Sequence, residues 1–223
     1  MDKIVCTVNF NTPELTSSAI RSVFKHTPDC EVIVIDNSTT MCMEYDDYRV
    51  KVIDNTKQQI INFDSMLACY PLKHKCSGNK WGSAKHCYTI QKMWELCPTG
   101  FVLIDSDVLV KKDISGLFDD RYAWVGETHQ DPNHKCSIIK RLLPFLCYIN
   151  VPMCKARGIH YFDYTRNFRL GTGVRNNYYD TGASFLEDVV KAGLPYNEID
   201  VDDYIVHLGG GSYRDTDWVG FFK

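Results

Sequence analysis

Apolar residues along this chain gather into short runs that end in polar, turn-forming clusters, with helical stripes between some of them. Ile4-Val5-Cys6-Thr7-Val8 and Glu31-Val32-Ile33-Val34-Ile35 read as buried strands, rich in branched residues and too short for helices. Between them Asn9 to Pro13 supplies turn formers. Thr12 stands at the N-cap and Pro13 at the first helical position of a helix over Glu14 to about Lys25. Strand, helix and strand within about 35 residues form a βαβ unit, whose right-handed crossover makes the strands parallel. Val50-Lys51-Val52-Ile53 is a third strand, and Asp54 to Lys80 carries no readable pattern. From Gly82 apolar residues at 84, 87, 90, 93 and 94 make a helical stripe. Phe101 to Val110 reads as a buried central strand interrupted by Asp105 and Asp107.

Further on, the signals are shorter. Asp113 to Phe118 fits a short helical turn, Ala123 to Glu127 a strand, and Leu142 to Met153 with Tyr161 to Asp163 strand-like or core pieces. Thr128 to Lys140 and Arg166 to Asn177 read as loops. A helix over Ala183 to Ala192 is capped by Gly193 and stopped by Pro195. A last strand ends at His207, ahead of Gly209-Gly210-Gly211. Three consecutive glycines forfeit backbone entropy, which close approach to a ligand would explain. With Ser212 and Arg214 they are expected to form a loop closing over phosphate. The pattern predicts an α/β domain with a mostly parallel central sheet flanked by helices.

Composition narrows this little. A chain of 223 residues, 44% hydrophobic, is ample for one core and points to a single domain. A net charge of −3 with no strongly basic segment leaves no footprint for a nucleic acid polymer. The ten cysteines are scattered inside apolar stretches without C-x-x-C spacing, as reduced thiols are. His129, His134 and Cys136 fit no standard zinc spacing. The start runs directly into a strand without a signal-peptide pattern, and the longest apolar stretch is too short to span a bilayer. A cytoplasmic protein with no transmembrane segment is therefore expected.

Ligands of open α/β sheets bind beyond the carboxyl ends of the strands. Three such ends here carry Asn9 and Asn11, Asp36 and Asn37, and Asp105-Ser106-Asp107. A strand period of two puts Asp105 and Asp107 on one side of the chain. Two converging carboxylates call for a cation, and hard oxygen ligands suit Mg²⁺ or Mn²⁺ holding a diphosphate. Asp and Ser also close ordinary turns, so the motif alone leaves both readings open. Ser83, Lys85 and His86 lie in the first turn of their helix, where an anion is favoured; a solvated Lys85 and a packed His86 imidazole are the alternatives.

Taken in order, these pieces resemble the GT-A glycosyltransferases, closest to the family 2-like group, over roughly residues 4 to 215. The resemblance implies a single Rossmann-like GT-A catalytic domain over 1–223, with a nucleotide-binding part about 1–110 and an acceptor-binding part about 111–223. It implies base and ribose contacts at Val8, Asn9, Asp36 and Asn37, a ribose or sugar contact at Asp105, and metal ligands at Asp107 and His207. Asn11, Ser83, His86, Ser106 and Arg214 complete the expected nucleotide-sugar contacts. Asp180 matches the carboxylate base of inverting members, although Tyr179-Asp180-Thr181-Gly182 stands where family 2 enzymes usually have Glu-Asp. Glu187 and Asp188 are further candidates for a base. A UDP-sugar donor with Mn²⁺ or Mg²⁺ is implied, and a glycan, lipid-linked or protein acceptor.

Rival readings are a haloacid dehalogenase-like phosphatase using Asp105 and Asp107, and a non-catalytic sugar-nucleotide-binding module. The phosphatase strand usually lies near the N-terminus, and a Thr or Val usually stands two residues after its second Asp, where this chain has Leu109. A calcium loop fails because Val110 and Gly116 stand at its sixth and twelfth positions.

Overall fold

The computed structural model describes residues 3–69, 82–131, 139–167 and 179–209. Strands β1 (Ile4–Asn9), β2 (Glu31–Asp36) and β3 (Val50–Asp54) run parallel, with β1 and β2 joined through helix α1 (Pro13–His26). Helix α2 (Phe63–Ala68) comes after β3, and α3 (Gly82–Leu96) leads into β4 (Phe101–Ile104). A short strand β5 (Val108–Val110) and a 3₁₀ turn over Ser115–Leu117 precede β6 (Trp124–His129) and β7 (Arg141–Ile149). Helices α4 (Val151–Lys155) and α5 (Ala183–Lys191), then strands β8 (Asn197–Glu198) and β9 (Ile205–His207), complete the described elements.

The central sheet has seven strands in the order β3-β2-β1-β4-β7-β6-β8. Of these only β7 runs against its neighbours, pairing antiparallel with both β4 and β6. Side-chain alternation divides the core into two layers. Val5, Val32, Val34, Val102 and Ile104 face α1 residues Ala19, Ile20 and Val23. Cys6, Ile35, Phe101 and Leu103 face α3 residues Cys87, Ile90, Met93 and Trp94, together with Phe185 of α5. Both faces are covered, so the inner strands read as unbroken apolar runs. Phe101 and Leu103 are fully buried, and each contributes about 1.5–3 kcal/mol. That packing makes the carboxyl end of β4 a rigid mount for Asp105, Ser106 and Asp107.

Three local expectations change. The Phe101 to Val110 run is not one strand: the chain turns over 105–107, and β5 leaves the central sheet to pair antiparallel with β9, Val108 opposite His207. Asp-Ser-Asp prefers a turn to a ladder, so the period-of-two argument does not account for the two carboxylates. Thr12 occupies the N-cap of α1 without a side-chain capping bond. Its N–H donates instead to Asn9 Oδ1 at 3.2 Å. The Leu142 to Met153 segment divides into β7 and α4, and Pro144 lies where the pairing with β6 shifts register between Gly126 and Thr128, as proline within a strand requires.

Most of the described thiols are buried as expected, but Cys69 is exposed and Cys42 only partly buried. Cys6, Cys30, Cys87, Cys97, Cys147 and Cys154 are buried and free. Burial pushes the Cys87 thiol up to about 12, which leaves it inert. No described helix is long and apolar enough to cross a membrane.

Gly182 is the N-cap of α5, at φ +81°, and a Cβ there would lie 2.2 Å from the Leu142 carbonyl oxygen of β7. Gly182→Ala is expected to destabilise the fold by more than about 1 kcal/mol, since the backbone is left-handed and its neighbour is main chain. A lower urea midpoint with an unchanged slope would register it; an unchanged midpoint would contradict it.

Candidate active site

The carboxyl ends of β1, β2 and β4 share one edge of the sheet, because all three strands are parallel and adjacent. Asn9 is fully buried there. Its Nδ2 donates to Asp36 Oδ2 at 3.0 Å and Ser38 Oγ at 3.1 Å, and its Oδ1 accepts from Thr16 Oγ1 at 2.9 Å. Asp36, also fully buried, accepts from the backbone N–H groups of Ser38 at 2.8 Å and Met43 at 2.6 Å. These bonds satisfy a buried charge that would otherwise be expensive. Asn37 Nδ2 donates to Thr89 Oγ1 at 3.0 Å, while its Oδ1 accepts from Asn55 at 2.8 Å. Asn11 sits exposed at φ +58°, and its Oδ1 accepts from Thr39 N at 2.9 Å. Thus the Asx side chains after β1 and β2 shape the loops that a ligand would meet.

Beyond β4 the acidic turn meets the end of β9. One ligand atom each from Asp105, Asp107 and His207 lie within 4.8 Å of one another. The β5/β9 ladder produces this, setting His207 opposite Val108, the residue after Asp107. Leu208 N donates to the Asp107 carbonyl at 2.9 Å, closing the ladder beside the turn. His207 Nε2 lies 3.4 Å from Asp107 Oδ1, and His86 Nε2 lies 3.7 Å from Asp105 Oδ1. The Phe145 ring stacks on His207 at 3.9 Å and 26°, fixing the imidazole plane. Burial raises the Asp105 carboxyl above the ordinary range and the Asp107 charge adds to this, with His86, His207 and Arg141 opposing. Hydrogen bonding to Asp107 raises His207, against the opposing effect of burial. The arrangement concentrates negative charge in a water-poor corner beside a donor nitrogen, where a cation is favoured.

Arg141, at the start of β7, donates from Nη1 to Asp180 Oδ2 at 2.7 Å. Asp180 Oδ1 accepts from Thr181 N at 2.8 Å. The two side chains are 15% and 11% exposed, so the pair is largely desolvated. Arg141 Nε is buried with no partner, a condition that costs about 1–3 kcal/mol. Glu187 and Asp188 are occupied otherwise: both accept from Arg166, at 2.9 Å and 2.5 Å, and Glu187 also pairs with Lys191 at 2.8 Å. They tie the 163–167 segment to α5.

Compared with solved structures, the chain is similar to the galactosyltransferase LgtC in complex with donor and acceptor sugar analogs, at 13% identity over 89% of this chain and 73% of that one, TM-score 0.52. It is similar to mouse xyloside xylosyltransferase 1 in its apo form, at 11% identity over 90% and 86% of the two chains, TM-score 0.53. The glycosyltransferase GlyE of Streptococcus pneumoniae aligns at 11% identity over 91% and 46%, TM-score 0.51. The chain has a GT-A fold. No protein-family model and no curated protein matches the sequence. Identities this low carry the GT-A fold and no more.

Within the GT-A frame, Val8, Asn9, Asn11, Asp36, Asn37, Asp105, Ser106, Asp107 and His207 stand at the ends of β1, β2, β4 and β9. Ser83 and His86 lie in the first turns of α3, His86 facing Asp105. Asp180 pairs with Arg141, whose charge acts on Asp105. Arg214 lies outside the described residues, as does all of the glycine loop after Gly209. Sequence reading missed Phe145 and Arg141. An arginine opening an otherwise apolar run was the available signal for Arg141, whereas nothing marked Phe145 among its apolar neighbours.

Proposed function

We propose that this chain is a metal-dependent glycosyltransferase. It moves a sugar from a nucleotide-diphospho-sugar, a UDP-sugar by preference, to a hydroxyl of a glycan, lipid-linked or protein acceptor, with inversion. The observation that carries this reading is the Asp105, Asp107 and His207 constellation at the carboxyl edge of a GT-A sheet. Two carboxylates and one imidazole, partly desolvated and with the carboxylates repelling one another, fit Mn²⁺ or Mg²⁺. Asp107 and His207 would hold the ion, with Asp105 toward the ribose or sugar. The ion, when bound, neutralises the leaving diphosphate.

The chain's own residues do the rest. Val8, Asn9, Asn11, Asp36 and Asn37 form the wall that takes base and ribose, in the nucleotide-binding part about 1–110. Ser83, His86 and Ser106 flank the phosphate and sugar, and Arg214 adds positive charge there. In the acceptor-binding part about 111–223, Asp180 accepts the proton that the attacking hydroxyl loses, as a general base on the opposite side of the sugar. LgtC was crystallised with donor and acceptor sugar analogs, which supports a donor and an acceptor site for the same fold here.

Thermal unfolding tests the reading. UDP is expected to raise the melting temperature in Mn²⁺ or Mg²⁺ and not in excess EDTA, since a ligand selective for the native state stabilises it by mass action. Equal stabilisation in EDTA would remove the metal bridge from the proposal. Metal-dependent stabilisation without any release of UDP from UDP-sugars would favour a non-catalytic binding module.

A further inference from the structure

Among the described residues, Arg141 differs from the other arginines paired with carboxylates in how it uses its guanidinium. Arg49, Arg121 and Arg166 each engage Nε as well as Nη groups with nearby carboxylates, in the forked manner that gives such pairs their strength. Arg141 gives Asp180 a contact from Nη1 and keeps Nε buried without a partner. An arginine kept only for stability has no reason to retain that defect, because an apolar residue in its place would avoid desolvating the charge.

Its position explains what it can do. The ladder between β4 and β7 runs from Phe101 opposite Ile149 to Ile104 opposite Leu146. Residues 141–145 of β7 therefore overhang the carboxyl end of β4, and pairing of Arg141 with His129 of β6 holds the tip of that overhang. Arg141 thus reaches from the sheet edge that carries Asp105 to the segment that carries Asp180. Asp180 does not cap α5, since Gly182 occupies the N-cap, and Thr181 N supplies a bond to its other carboxylate oxygen.

We propose that Arg141 is a positioning residue for glycosyl transfer, fixing the Asp180 carboxylate in the orientation from which it takes the acceptor's proton. The inference rests on the glycosyltransferase reading and on Asp180 as its base. Arg141 holds the Asp180 Oδ2 oxygen from Nη1 and so fixes the direction in which the carboxylate is presented. Its hydrogen bond goes to Asp180, so its loss is expected to act on turnover more than on donor affinity.

A double-mutant cycle between Arg141 and Asp180 tests this, with UDP release from UDP-glucose, UDP-galactose and UDP-N-acetylglucosamine in Mn²⁺ as the readout. Arg141→Met is expected to lower kcat about 10²-fold, as misplacement of a reacting group does, with the KM for the donor nearly unchanged. Arg141→Lys, which keeps the charge and guards against a fold lost with Arg141→Met, is expected to recover part of the rate. Because Arg141 acts through Asp180, the double variant Arg141→Met/Asp180→Asn should be no slower than Asp180→Asn alone. Losses that multiply would overturn the proposal, and so would wild-type kcat in Arg141→Met. In both of those cases a slow Asp180→Asn leaves the base reading intact. Wild-type turnover in Asp180→Asn, or no UDP release by the wild type from any of the three donors, would remove the base reading and the proposal with it.

Discussion

Asp107→Asn is expected to abolish the Mn²⁺-dependent stabilisation by UDP and to lower turnover by at least about 10²-fold, the scale on which even residues behind the ligands affect metal sites. The substitution keeps volume and removes one charge. Asp107 is 8% exposed and its carboxylate contacts His207 at 3.4 Å, so the amide still fits the turn and can still meet the imidazole. In EDTA the variant should melt near the wild type, because relief of the Asp105 repulsion offsets the weaker contact with His207. The effect therefore separates a ligand from a structural turn residue. A turn residue would cost stability with and without metal and leave the UDP response in place. His207→Ala should reproduce the loss of response, since the β5/β9 ladder that presents it uses backbone bonds. Retention of the full Mn²⁺-dependent shift by Asp107→Asn would take this residue out of the metal site.

Residues whose environment is set by their near neighbours in sequence were legible, and those set by distant pairing were not. The inner strands were readable because both faces are covered, so Val5, Val32, Val34 and Leu103 stand in runs that only a buried strand explains. The α3 stripe was readable because one helical face packs Ala84, Cys87, Ile90 and Met93 against the sheet. The antiparallel turn of β7 was not, since strand direction is a property of pairing and Pro144 obscured its run. The convergence of Asp105, Asp107 and His207 was anticipated through the resemblance, while the reason for it lies in a small ladder joining residues about 100 positions apart. No local signal encodes such a pairing. The same holds for Arg141 and Asp180, whose contact exists only because α5 packs on β7. Conversely, the inward bonding of Asn9 and Asp36 shows why polar residues at strand ends are ambiguous: they can serve a site by building the loop around it.

Asp180→Asn is expected to keep the fold and the affinity for UDP with Mn²⁺ while losing about 10²–10⁴-fold in turnover, the contribution typical of one general base. The structure makes this a clean substitution. The amide oxygen can accept from Arg141 Nη1 in place of Oδ2, now 2.7 Å away, and the N-cap of α5 is Gly182 and is not disturbed. What disappears is the negative charge able to take a proton, since an amide does not accept one at neutral pH. A merely structural Asp180 would behave differently. The loss of Arg141's counter-charge in a largely desolvated position is the same whichever role Asp180 has, so the difference lies in turnover per folded molecule, which would stay near the wild type. Stereochemistry supplies the second arm. Direct attack by an acceptor hydroxyl deprotonated on the far side of the sugar inverts the anomeric centre, whereas a retaining route needs no base at that place. The product anomer read by NMR, alongside kcat and the UDP-dependent melting shift of Asp180→Asn, therefore decides the role. An inverted product with a slow, folded, UDP-binding variant supports it. A retained anomer, or wild-type turnover in the variant, assigns Asp180 to the framework that Arg141 anchors and leaves proton removal to another group.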